Sequence, residues 1–196
     1  ITDVLFGDVN PSGKLTMSFP CSVGQIPVYY NMKNTGRDAY SKDYCRYASN
    51  WIDCPNEPLY PFGYGLSYTT FEYSNFRLSS QEADINGNQE ATEWQNGTNI
   101  TATITVKNTG NRDADEIVQL YIRDMVSSIS RPVKELKGFQ RIHLAVGESK
   151  QVSFEITPDM LKFYNADLKH IIEPGDFQIM IGTNSKEVEA LNFNVK

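Results

Sequence analysis

The sequence predicts a mainly β chain: a β-sandwich preceded by the closing stretch of an α/β unit. After Thr70 every clear segment alternates apolar and polar residues with a period of two, between turns rich in Gly, Asn, Asp and Pro. Before it, a helix-like start, a turn and one strand-like run lead into a long aromatic stretch with no sustained period. The expected division is therefore 1–70 as the C-terminal end of an α/β sandwich domain and 71–196 as the β domain.

In the opening ITDVLF, Ile1, Val4 and Leu5 share one helical face, and Gly7 follows as a C-cap. GDVNPSG then concentrates turn residues, after which Leu15, Met17 and Phe19 alternate with Lys14, Thr16 and Ser18 as in a half-buried strand. From 23 to 61 no period holds, yet most of the chain's tyrosines, with Trp51, fall between 29 and 73. Aromatics bury too much area to stay solvated, so this reads as an ordered loop packed onto another element. In the second region FEYSNFRL is one strand, and NITATITVKNTG sets Ile100, Ala102, Ile104 and Val106 on one face. EIVQLYIRD does the same with Val118, Leu120 and Ile122. QVSFEIT, DFQIMIGT and ALNFNVK follow, bounded by GES, EPGD and TNSKE. PDMLKFY reads as a single helical turn begun by Pro158 that crosses between two sheets. Strands at this spacing make a sandwich of the immunoglobulin or fibronectin type.

With 196 residues, 40% hydrophobic and 12% aromatic, the chain can bury a substantial core. A formal net charge of -6 argues against nucleic acid and against an anionic membrane face as partners. No window reaches the ~18 apolar residues of a membrane span. The start ITDVLFGD has no initiator Met, basic n-region or cleavage site, so the chain reads as an internal cut of something longer. Cys21, Cys45 and Cys54 are too few for a disulfide framework and too scattered for a zinc site. They read as free thiols, with Cys45 and Cys54 close enough to close a small loop in an oxidising compartment. Asn96-Gly97-Thr98 and Asn99-Ile100-Thr101 match the glycosylation acceptor pattern, which a chain rich in Asn and Thr produces by accident.

Local chemistry is sparse. GDVNPSG has the spacing of the first half of an EF-hand loop, but Phe19 stands where the bidentate carboxylate must be. FGYG lacks the membrane span of a channel filter and the Lys-Ser of a phosphate loop, so its glycines read as turn conformations. His143 and His170 pair with no nucleophile and read as surface residues. Asp113, Asp115 and Glu116 read as a solvated turn, and Glu187 and Glu189 as an outer face. Arg46, Tyr47, Trp51 and Asp53 form the one group suited to a ligand, because aromatic faces beside Arg and Asp stack on and hydrogen-bond a sugar ring. The simpler reading is that these aromatics glue the loop to its neighbour. No metal and no cofactor is expected.

DVLFGDVNPSGKLTMSFP, QIPVYYNMKNTGR, PNEPLYPFGYGLSYTTFEYS and VQLYIRDMVSSISRPVKELKGFQRIHLAVGESKQVSFEIT, in that order, resemble the C-terminal part of glycoside hydrolase family 3, which includes bacterial β-glucosidases. The resemblance implies an enzyme of three parts: a TIM-like barrel, an α/β sandwich domain and a fibronectin type III-like domain. This chain would carry the end of the second and all of the third. It implies retaining hydrolysis of β-glucosides or oligosaccharides with two carboxylates in separate roles. The nucleophilic Asp and the acid/base would both precede Ile1, so no catalytic residue is carried over. The rest of the same enzyme becomes the expected partner, and the periplasm or the exterior the expected location. Related sequences often place an Arg-Tyr pair before the Asp that precedes PFGYG. Here Asn50 and Trp51 occupy those positions and Asp53 is kept, a departure that bears on how the loop meets a sugar and on aglycone preference. The alternative is a non-catalytic carbohydrate- or protein-binding β-sandwich module.

Overall fold

The computed structural model describes residues 1–34, 50–97 and 99–196, without the side chain of Asn96. The strictest alternation in the sequence becomes the centre of the core. Ile100, Ala102, Ile104 and Val106 are all at most 1% exposed, on one face of a nine-residue strand. Such apolar burial, worth roughly 25 cal/mol per Å2 removed from water, drives the architecture.

In chain order the strands are β1 (Phe71–Leu78), β2 (Glu82–Ala83), β3 (Ile100–Asn108), β4 (Ala114–Asp124), β5 (Glu135–Leu144), β6 (Ser149–Ile156), β7 (Phe163–Tyr164), β8 (His170–Ile171), β9 (Gly175–Gly182) and β10 (Val188–Val195). One sheet has the order β1-β3-β6 and the other β2-β10-β9-β4-β5, while β7 and β8 form a separate ribbon. Pairing is antiparallel except for β2, which runs parallel to β10. β1 slips register between Ser74 and Arg77, where Asn75 takes φ 55. The inward residues of β3 and β6 meet Val118, Leu120 and Ile122 of β4, Phe177, Ile179 and Ile181 of β9, and Phe193 and Val195 of β10. This is the predicted sandwich. Trp94 stacks edge-on against Phe193 at 5.8 Å and donates its Nε1–H to the Ile156 carbonyl at 2.7 Å.

The crossing turn is α2 (Pro158–Leu161), with Pro158 in the first helical turn, where its missing N–H costs nothing. It leads from β6 of the smaller sheet to the β7–β8 ribbon and on to β9 of the larger one.

The first region begins with α1 (Thr2–Leu5). Gly7, at φ 82, closes it: its N–H bonds the Val4 carbonyl and that of Asp8 bonds the Asp3 carbonyl, the two bonds of a Schellman motif. The helix is brief and buries none of its residues. The strand expected over 14–19 does not form as a ladder strand. It pairs with 60–64 at two points only: Leu15 N to the Tyr64 carbonyl and Gly63 N to that of Leu15, then Phe19 with Tyr60. Its apolar side remains largely open, with Met17 62% and Phe19 43% exposed. Alternation creates a ladder only when another sheet or helix covers the apolar side, and the described residues offer none there.

Candidate functional site

Of the four residues expected to meet a sugar, Arg46 and Tyr47 lie outside the described residues, as does Cys45. Trp51 and Asp53 line one open depression with Gly24, Ile26 and Ile52. Trp51 is half-buried and Asp53 exposed. The Trp51 backbone N–H is held by Asn56 Oδ1 at 3.0 Å, while its buried indole N–H has no partner among the described residues. The neighbouring backbone is organised by Gln25, which is fully buried. Its amide donates to the carbonyls of Pro55 and Glu57 and accepts from Cys21 N. Cys21 and Cys54 are free thiols.

The strongest local order lies where the two regions meet. Phe62 stacks on Tyr30 with ring centroids 4.2 Å apart, and both rings approach Tyr121 of β4 edge-on, at 6.5 and 5.9 Å. Tyr121 is buried under them and donates to Gln119 Oε1 at 2.5 Å. Gln119 Nε2 donates in turn to the carbonyls of Gly63 and Thr183. Gly63 adopts φ 78, and a Cβ there would come within 2.1 Å of Gln119 Oε1, so geometry and space both require glycine. Lys134 donates to the Ser185 carbonyl at 2.7 Å, and its burial, reinforced by Arg123, lowers the ammonium's pKa. On the other side of the segment Asn10 Oδ1 accepts from Tyr68 N at 2.7 Å, and Tyr68 donates its hydroxyl to the Val4 carbonyl.

At the open end of the sandwich, four polar side chains from four parts of the chain meet. Glu116 of β4, 4% exposed, accepts through Oε1 from Lys14 Nζ at 3.2 Å, from the Tyr73 hydroxyl at 2.9 Å and from Thr183 Oγ1 at 2.8 Å. Lys14 also donates to Thr183 Oγ1 at 3.0 Å. Tyr73 belongs to β1 in one sheet and Glu116 to β4 in the other, so the carboxylate ties the two sheets together and holds the lysine of the first region against both. Burial, and then the Glu116 carboxylate, push the Tyr73 phenol far above its ordinary value, which keeps it a donor. A buried ion pair with its hydrogen bonds made is tolerable, but removing one partner leaves an uncompensated charge.

Expecting a solvated Glu116 was therefore wrong, and a signal was available. Glu116 has the same parity as Val118, Leu120 and Ile122, so the alternation that predicts the strand also turns it inward. Asp115, one residue away, does face outward. It accepts from Arg141 and from His143 Nδ1, and those contacts hold its carboxyl below its ordinary value. His143 lies exposed on β5, the edge of its sheet, and His170 stacks exposed on Tyr164. Asp124 shifts the other way: burial raises it, against Arg131. Lys14 and Thr183 carry no local signal, because only the fold brings 14 and 183 to 116.

Comparison with known proteins agrees with this architecture. Residues 1–68 match the glycosyl hydrolase family 3 C-terminal domain, and residues 116–185 the fibronectin type III-like domain. The chain is 49% identical over 195 residues to a periplasmic β-glucosidase of Salmonella typhimurium, covering all of this chain and 24% of that protein. It is 42% identical over 202 residues to a β-xylosidase of Formosa agariphila, again across the whole chain and 25% of the relative. The crystal structure of a β-glucosidase from Listeria innocua in complex with isofagomine superposes with a TM-score of 0.87 at 43% identity, over 98% of this chain and 26% of that one. The chain thus spans about a quarter of the length of the curated relatives it matches. Fold, motifs and relatives agree that this chain belongs to glycosyl hydrolase family 3 and corresponds to the C-terminal portion of its members, with other domains of the same enzyme implied.

Proposed function

We propose that the chain is the non-catalytic C-terminal portion of a retaining β-glucosidase-like hydrolase that releases terminal β-linked glucose or a related sugar. The observation that carries this reading is a likeness that runs the whole length of this chain yet spans only a quarter of the relatives. Retaining hydrolysis needs two carboxyl groups about 5–5.5 Å apart, one ionised and one able to hold a proton. Glu116 is committed to a lysine, and Asp115 is held ionised by an arginine and a histidine, so neither suits a general acid. In this reading the nucleophilic Asp and the acid/base come from the preceding polypeptide. Residues 1–70 complete the α/β sandwich domain, 71–196 form the fibronectin type III-like domain, and the loop carrying Arg46, Tyr47, Trp51 and Asp53 contributes to the rim of the cleft. A relative named as a xylosidase beside one named as a glucosidase leaves glucose and xylose as alternative glycones. The periplasmic relative supports placement in the periplasm or outside the cell. Aryl β-glucosides and β-xylosides should be hydrolysed by this chain joined to its upstream polypeptide and not by the 196 residues alone. Turnover by the isolated chain would refute the assignment of both catalytic groups to the upstream part.

A further inference from the structure

The four-residue polar node forms the floor of a cavity of about 460 Å3, bounded also by Leu66, Ser67, Phe71, Ile181 and Val188. Its chemistry is unfinished. All three donors to Glu116 converge on Oε1, and Oε2 of this 4% exposed side chain has no partner among the described residues. Lys14 Nζ carries three protons and uses two, on Glu116 and Thr183. An acceptor without a protein partner among the described residues thus lies beside a donor with a proton to spare, both charged and both lining a cavity that water can enter.

The choice of ligand follows. A divalent cation would need several oxygen ligands, and the described residues contain no group of three His, Cys, Asp or Glu able to hold a metal. An anion would face Glu116, with Glu187 and Glu189 also lining the cavity. Two hydroxyls on neighbouring carbons supply what is missing: one donates to the carboxylate, the other accepts from the ammonium. Phe71, Leu66, Ile181 and Val188 offer an apolar wall to the C–H face of a ring. The volume lies within the ~300–1,000 Å3 of small-molecule sites.

We propose that this cavity is a non-catalytic binding site for a neutral pyranose, whose vicinal hydroxyls bridge Glu116 Oε2 and Lys14 Nζ. The site is separate from the depression at Trp51 and Asp53, and it stands independently of the hydrolytic reading. It requires both regions of the chain, since Lys14 comes from the first and Glu116 from the second.

The test is a titration of the isotope-labelled 196-residue chain with glucose and with cellobiose, followed by amide NMR. The expected result is saturable shifts at Gly65, Ser67, Gly182 and Thr183, with a dissociation constant on the order of millimolar. Glu116→Gln should weaken binding by about tenfold or more. Leu66→Trp, placed at a 69% exposed wall position that leaves the polar node intact, should do the same by filling the cavity. If Glu116→Gln does not fold, Leu66→Trp decides. No saturable shift up to about 100 mM of either sugar, some 100-fold above a millimolar constant, would overturn the proposal. So would shifts confined to residues 51–53, or unchanged binding by Leu66→Trp. None of these failures touches the hydrolytic reading, which is measured as turnover by the longer polypeptide.

Discussion

The run over 14–19 in the first region and the strands of the second carry the same apolar alternation, and the chain treats it in opposite ways. In 71–196 the alternating residues close on one another, and Ile104, Val118, Leu120 and Ile179 are fully buried. Among the described residues of 1–70 it is polar side chains that are buried, among them Gln25 and Ser18, while Ile1, Leu5, Phe6 and Val23 are each more than 70% exposed. The difference is one of partners. A sandwich supplies both of its own faces, whereas the short helix and the run bonded at two points among the described residues of 1–70 supply neither, and hold their shape by hydrogen bonds to a neighbour. Among the described residues, the first region is fastened to the second through a few specific contacts, such as Lys14 to Glu116 and Gln119 to the Gly63 carbonyl.

The largest expected effect comes from cutting the contact that belongs to both. Glu116→Ala leaves Lys14 and the Tyr73 hydroxyl buried without their acceptor, and should destabilise the chain by about 3–5 kcal/mol in denaturant unfolding. A loss below about 0.5 kcal/mol, the level of an ordinary surface change, would mean that the node carries no stability.

Gly63→Ala sharpens the comparison by acting on one side of it. The added methyl must displace Gln119, and φ 78 strains any other residue, at a cost of about 1–3 kcal/mol. Hydrogen exchange should quicken at Leu15 and Phe19, whose amides bond into 60–64, while the amides of Ile104 and Leu120 stay protected. Equal acceleration in both regions would show that they unfold as one unit.

The smallest effect is electrostatic and confined to the sandwich. Contacts with His143 and then Arg141 depress the Asp115 carboxyl in the folded state. The stability it adds is therefore present above its unfolded value of about 3.9 and is lost as pH falls through the lower folded value. Asp115→Asn should cost up to about 1 kcal/mol at pH 7, as exposed ion pairs do, and progressively less as pH falls below the unfolded value. A penalty that persists in acid would point to a packing role for the side chain instead.

The sandwich was legible because each of its long strands states its buried face within a few residues, as Ile100, Ala102, Ile104 and Val106 do. The opening helix and its glycine stop were legible too, being closed by bonds between residues only three to five apart. The run over 14–19 had the same alternation and did not become a ladder strand, since a pattern states which side is apolar but not whether anything covers it. Glu116 was half legible: the parity of β4 turns it inward, but a charge so close to a turn invites the opposite reading. The sequence by itself thus determined the fold class, the strand faces and, through its ordered motifs, the family. Tertiary structure alone decided that Lys14, Tyr73, Glu116 and Thr183 share one site, because hydrogen bonds between residues 43 to 169 positions apart are made by the path of the backbone and leave no local periodicity to read.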